Sequence, residues 1–108
     1  MGITKTQKFT QIENDLAKMA KALAHPARIA IINHLVQIKS CICGDIVHEL
    51  PLSQSTVSQH LKELKDAGLI TGSISGTSVC YCIDDKNWEK AKTLLGNLFE
   101  SYSGQDCC

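Results

Sequence analysis

No charge of one sign prevails in this sequence: eleven Lys and Arg stand against eleven Asp and Glu, for a formal net charge of zero. That balance excludes disorder driven by charge excess. It also excludes nucleic-acid binding through bulk positive charge, so any grip on DNA must come from a local patch. Long apolar runs are missing as well, and none approaches the length of a membrane span. The opening Met1-Gly2-Ile3-Thr4-Lys5 lacks the apolar stretch of a secretory signal, so a cytoplasmic location and no membrane partner are expected. There is no Cys-x-x-Cys, no Cys–His pairing signal and no phosphate-binding glycine loop. These absences argue against an enzyme, a small thiol oxidoreductase included. No repeat, linker or low-complexity segment divides the chain.

What is present is one domain's worth of chain, 108 residues with 44% hydrophobic. A domain of this size has a modest core, which favours sharing one in a dimer. Six cysteines, Cys41, Cys43, Cys80, Cys82, Cys107 and Cys108, are many for such a chain. In a reducing compartment, clustered cysteines read as metal ligands or redox centres rather than structural bridges.

Phe9, Ile12, Leu16, Met19 and Leu23 fall at steps of three and four, one stripe on a helix. His25-Pro26 interrupts it, and Pro26 opens a second helix to Ile38. That helix is apolar nearly all round, which places it at the centre of the core. Ser40–Cys43 reads as a very short strand and Gly44–Leu50 as a brief helix ended by Pro51. Ser53 is an N-cap for a helix over Gln54–Ala67, with Val57, Leu61 and Leu64 inward and Gly68 at its stop. Leu69–Ile83 has β character on both sides of a Ser75-Gly76 turn. A last helix after Asp84-Asp85 carries Trp88, Ala91, Leu95, Leu98 and Tyr102 on one stripe. Residues 103–108 read as a flexible polar tail. A short helix, a turn, a longer helix and a β-hairpin make a winged helix-turn-helix, mainly α with a small β wing.

The run Pro51-Leu-Ser-Gln-Ser-Thr-Val-Ser-Gln-His-Leu-Lys-Glu-Leu-Lys-Asp-Ala-Gly-Leu-Ile70 closely resembles the recognition helix of the ArsR–SmtB family of metal-sensing repressors. Ala22-Leu-Ala-His-Pro-Ala-Arg-Ile29 is similar to that family's second-helix opening, Cys41-Ile42-Cys43 to its cysteine pair, and Val79-Cys80-Tyr81 falls where its wing has the returning strand. The resemblance spans Leu16 to Leu98. It implies a homodimer packed through first and last helices, bound to an inverted-repeat operator in double-stranded DNA and released by an inducer, with no other protein partner. Two departures stand out. Gly44 separates Cys43 from Asp45, and Ile46 stands where the arsenic-type pattern has a third cysteine. No histidine follows His60, so the ligands of zinc-sensing relatives are missing from the last helix. The family's ligand set therefore does not transfer.

With Val57 and Leu64 inward, a turn of about 100° per residue points Ser55, Ser58, Gln59 and Lys62 outward. Gln59 carries the bidentate amide suited to adenine, and Ser55, Thr56 and Ser58 can reach base edges or phosphates. Lys62 suits phosphate, and Gln54 belongs to the same N-terminal turn. His60 has two readings, a DNA contact or a structural hydrogen bond. The wing tip, Ser73–Ser78, has no Arg or Lys, so weak wing contact is expected.

On a helix, residues i and i+2 point about 200° apart; on a strand they share a face. Cys41 and Cys43 then fit one short strand, and Cys80 and Cys82 another. If, as in winged helices generally, the strand before the helix-turn-helix pairs with the returning strand of the wing, Ile42, Val79, Tyr81 and Ile83 face the core and the four thiols lie on the other face, cross-strand neighbours roughly 4.5–5.5 Å apart. Such thiols suit As(III), Sb(III), Cd(II), Pb(II) or Zn(II) as inducer, with Cys107 and Cys108 as further candidate ligands. The competing readings are a thiol-redox or sulfide-sensing repressor using a reversible disulfide, and a constitutive DNA-binding module with a structural zinc.

Overall fold

The computed structural model describes residues 8–43, 53–75 and 78–104. Its elements run α1 (Gln11–Ala22), α2 (Pro26–Ile38), β1 (Ile42–Cys43), α3 (Gln54–Asp66), β2 (Ile70–Ser75), β3 (Ser78–Ile83) and α4 (Asp85–Glu100). The helix expected over Gly44–Leu50 and the tail from 105 lie outside the described residues. The three strands form one antiparallel sheet in the order β1-β3-β2.

Local chemistry sets the boundaries. Thr10 and Glu13 cap α1 reciprocally: the Glu13 N–H donates to Thr10 Oγ1 at 3.1 Å, and the Thr10 N–H donates to Glu13 Oε1 at 3.0 Å. Pro26 sits in the first turn of α2, where its missing N–H costs nothing, and His25 Nδ1 accepts from the Ala27 N–H at 3.0 Å. Ser53 and Asp84 cap α3 and α4 through side-chain oxygens that accept from Thr56 N–H and Asn87 N–H.

The end of α3 is a Schellman closure. The Gly68 N–H donates to Lys65 O at 2.9 Å and the Leu69 N–H to Leu64 O at 3.1 Å, with Leu64 and Leu69 both fully buried. Gly68 takes φ +88°, and a Cβ there would meet Asn87 Nδ2 at 2.8 Å. That same Nδ2 donates to Gly68 O at 3.0 Å and ties α4 to the turn. Gly68→Ala combines a left-handed φ with this clash. It should lower stability by about 1–3 kcal/mol, measured by urea unfolding; an unchanged midpoint would contradict the assignment.

The core joins Met19 and Ala22 of α1, Ile31, Ile32 and Leu35 of α2, Val57, Leu61 and Leu64 of α3, Leu69 after α3, Ile70 of β2 and Ala91 of α4. Ile42, Tyr81, Ile83 and Trp88 close against it. One expectation is corrected here. α2 does not bury its whole circumference, because Ile29, Val36 and Ile38 remain exposed. Helix α1 packs against α4, with Lys90 Nζ 3.6 Å from Asp15 Oδ2. Phe9 just before α1, Ile12 in its first turn, Leu98 and Phe99 at the end of α4 and Tyr102 just past it stay in solvent in the single chain.

Candidate functional site

Helix α3 presents the polar face expected of it. Ser55, Thr56, Ser58, Gln59 and Lys62 are exposed, whereas Val57, Leu61 and Leu64 are buried. Gln54 opens the helix, and its side chain lies outside the described residues. The first turn holds no acidic residue. Ser53 Oγ lies 2.9 Å from Thr56 Oγ1 and 3.3 Å from Ser55 Oγ, so three hydroxyls cluster at the positive end of the helix dipole. Acidic partners begin one turn later: Gln59 Nε2 donates to Glu63 Oε2 at 3.3 Å, and Lys62 Nζ pairs with Asp66 Oδ2 at 2.9 Å. That hydrogen bond, with the Asp66 charge, raises the Lys62 pKa. The half of α3 free of acid is therefore its N-terminal half, the half suited to a polyanion.

His60 stands apart from the other six. It is 8% exposed and faces inward. Arg28 Nε donates to His60 Nδ1 at 3.1 Å, and Arg28 Nη1 reaches the carbonyls of Lys21 and Ala22 at 3.2 and 3.4 Å. The His25 ring lies against His60, centroids 4.3 Å apart. Arg28 can only donate, so Nδ1 of His60 is an acceptor and the ring is neutral. Burial first, then the neighbouring His25 and Arg28, hold the His60 pKa below its ordinary 6.5. This network joins the end of α1, the start of α2 and the middle of α3. Periodicity could not reveal it, because its partners are 32 residues apart; the only signal was that His25 and Arg28 both belong to the family-like Ala22–Ile29 run.

The linkage has a definite sign. His60 binds its proton more weakly folded than unfolded, so its contribution to stability is complete above 6.5 and is lost as pH falls from there through the depressed folded value. Urea unfolding at several pH values should show wild type losing stability faster than His60→Gln on acidification. Parallel curves would contradict the buried, neutral imidazole.

The sulfur site is built by strand register. Ile42 pairs with Tyr81 and Cys43 with Cys80. Cys41 and Cys82 are joined by a disulfide, Cα to Cα 4.4 Å. Cys80 is also disulfide-bonded and 7% exposed; the side chain of Cys43 lies outside the described residues. On β3, Cys80 and Cys82 flank Tyr81, so period two puts both on the face opposite Tyr81. Two details differ from expectation. Val79 is 41% exposed, because it lies past the end of β1 and pairs only with Ile74. Cys80 is buried, on a central strand flanked by β1 and β2. Cys107 and Cys108 lie outside the described residues.

Among the described residues, no group of three or more Cys, His, Asp or Glu side chains could hold a metal ion. Cys41, Cys80 and Cys82 are all disulfide-bonded, and a disulfide sulfur is not a thiolate ligand.

The Ser53-capped polar-faced helix, the β-hairpin and the flanking helices define a winged-helix fold. Residues 25–71 match the family model described as bacterial regulatory protein, arsR family. The arsenical resistance operon repressor of Bacillus subtilis (strain 168) is 38% identical over 93 residues, covering 82% of this chain and 85% of that protein. The transcriptional repressor SmtB of Mycobacterium tuberculosis (strain ATCC 25618 / H37Rv) is 41% identical over 75 residues, 69% of this chain and 55% of its own length, so this chain spans just over half of that relative. Among solved structures, HlyU from Vibrio cholerae N16961 superposes with a TM-score of 0.67 at 25% identity, covering 87% of this chain and 98% of that one. The chain belongs to the ArsR family, whose members found here are regulators of transcription and not enzymes.

Proposed function

We propose that the chain is a homodimeric repressor that binds an inverted-repeat operator in double-stranded DNA and leaves it when a thiophilic metal or metalloid is bound. The candidate inducers are As(III) or Sb(III), or Cd(II), Pb(II) or Zn(II), held by thiolates of Cys41, Cys43, Cys80 and Cys82, with Cys107 and Cys108 as additional donors. The observation that carries this reading is the register, which sets Cys43 against Cys80 and leaves Cys41 bonded to Cys82. The names of relatives support it: one represses an arsenical resistance operon.

Gln59 reads a base edge, Ser55, Thr56 and Ser58 contact base edges or phosphate, and Gln54 and Lys62 hold the backbone. His60 acts from behind the helix: its bond to Arg28 sets the tilt of α3 on α2. The apolar residues left exposed beside α1 and α4 supply the dimer contact. A soft ion contributes strong metal–thiolate bonds between β1 and β3. These strands bracket α3 in the chain, so tying them together favours a DNA-incompetent arrangement, which is all that negative linkage requires.

A second reading is favoured by the Cys41–Cys82 disulfide: oxidation itself is the signal, and the same strands are joined by sulfur–sulfur bonds. Operator binding by the reduced, metal-free protein, titrated separately with arsenite, Cd(II), Zn(II) and a disulfide-forming oxidant, separates the two. Release by one of the ions under reducing conditions supports the metal reading, and release by oxidant alone supports the second. If no titrant weakens binding, both readings fail.

A further inference from the structure

The two sulfur rungs are not equivalent. The Cys41–Cys82 bond lines a groove of about 480 Å³ whose walls also include Val36, Trp88, Lys39 and Asp85. Cys41 is exposed there and Cys82 half-buried, whereas Cys80 is buried. The groove has an apolar wall, one cation, one anion and an accessible disulfide.

We propose that this groove is a docking site for a low-molecular-weight thiol that carries both a carboxylate and an ammonium group, and that the docked thiol reduces Cys41–Cys82. The inference rests on the second reading above, in which the disulfide is reversible, and it adds the site and the class of reductant. Lys39 faces the carboxylate of the ligand, Asp85 its ammonium, and Val36 and Trp88 its carbon chain. The ligand's thiolate attacks Sγ of Cys41, the exposed sulfur. The Cys41–Cys82 bond breaks, its electron pair stays on Cys82 Sγ, and that thiolate takes a proton from water. A second thiolate of the same class attacks the ligand sulfur of the mixed disulfide and releases Cys41 as a thiolate. Two ligand thiols are oxidised to one ligand disulfide, and the protein disulfide is reduced by two electrons. Burial denies the same path to Cys80, so the outer rung opens first.

Trp88, the sole tryptophan, lies in the groove wall and reports the reaction, because a neighbouring disulfide quenches indole emission. The experiment follows reduction of the oxidised full-length protein by L-cysteine, 2-mercaptoethanol and cysteamine. Each rate is divided by the same thiol's rate on a small soluble disulfide. Alkylation and mass spectrometry run in parallel, to identify the mixed disulfide should emission not change. The expected result is a normalised rate for L-cysteine that exceeds the other two and saturates with concentration, with Cys41 as the mixed-disulfide residue. Lys39→Gln/Asp85→Asn should lower that rate about threefold to tenfold, as expected for two exposed ion pairs, and added salt should lower it in wild type. Equal, non-saturating normalised rates for the three thiols would overturn the proposal, as would first attack at Cys80. Operator binding is not read in this experiment. A DNA result that sinks the proposed function therefore leaves this outcome separately legible.

Discussion

Gln59→Ala should remove sequence-specific operator binding while the proposed dimer stays folded. Gln59 is exposed one turn into α3, and among the described residues its amide bonds Glu63 at 3.3 Å, a contact it can exchange for a base edge. A bidentate amide–adenine contact discriminates by about 1–3 kcal/mol. A two-fold dimer makes the contact twice, so the loss is about 2–6 kcal/mol if the half-sites add. Phosphate contacts from the hydroxyl cluster and the helix N-terminus survive the change, so binding to unrelated duplex should fall little. Anisotropy titrations against operator and scrambled duplexes at one fixed salt concentration give the ratio directly. A ratio equal to that of wild type would remove base reading from Gln59.

The second large effect belongs to Cys82→Ser. In wild type, inducer or oxidant should weaken operator binding by about 5–150-fold, the span of a coupling free energy of 1–3 kcal/mol. The serine variant should bind operator as tightly as the reduced wild type and respond less than about twofold, because one thiolate from β3 and the Cys41–Cys82 bond are both gone. Cys43→Ser should behave likewise under metal titration, since the register pairs it with Cys80. If Cys107→Ser/Cys108→Ser alone blocks the response, the strand cluster is not the sensor.

Much of this molecule was legible from its residues because the informative chemistry is local. Pro26 at the start of α2, Ser53 before α3, Asp84 before α4 and Gly68 after α3 each stop or start an element by a bond made within a few residues, and the observed bounds follow them. The outward face of α3 followed from helical period alone; the i, i+2 cysteine spacing gave strand character, and the β1–β3 pairing came from the general build of winged helices. What was not legible depends on contacts between distant segments. Ile29, Val36 and Ile38 look like core in a helix read singly, yet they stay exposed in the single chain. Val79 follows the core-facing alternation of Tyr81 and Ile83 but lies beyond the partner strand. The Arg28–His60 bond and the groove that gathers Lys39, Asp85 and Trp88 beside a disulfide leave no period to read.

The proposed sensor requires Cys41 and Cys43 to offer their sulfurs, together with Cys80 and Cys82 of β3, to one partner. The direct measurement is thiol protection in the fully reduced protein: one equivalent of arsenite or Cd(II) per chain, then alkylation and peptide mass spectrometry to see which cysteines are shielded. The predicted result is joint protection of at least three of Cys41, Cys43, Cys80 and Cys82, drawn from both strands. Protection confined to one strand, or to Cys107 and Cys108, would contradict it.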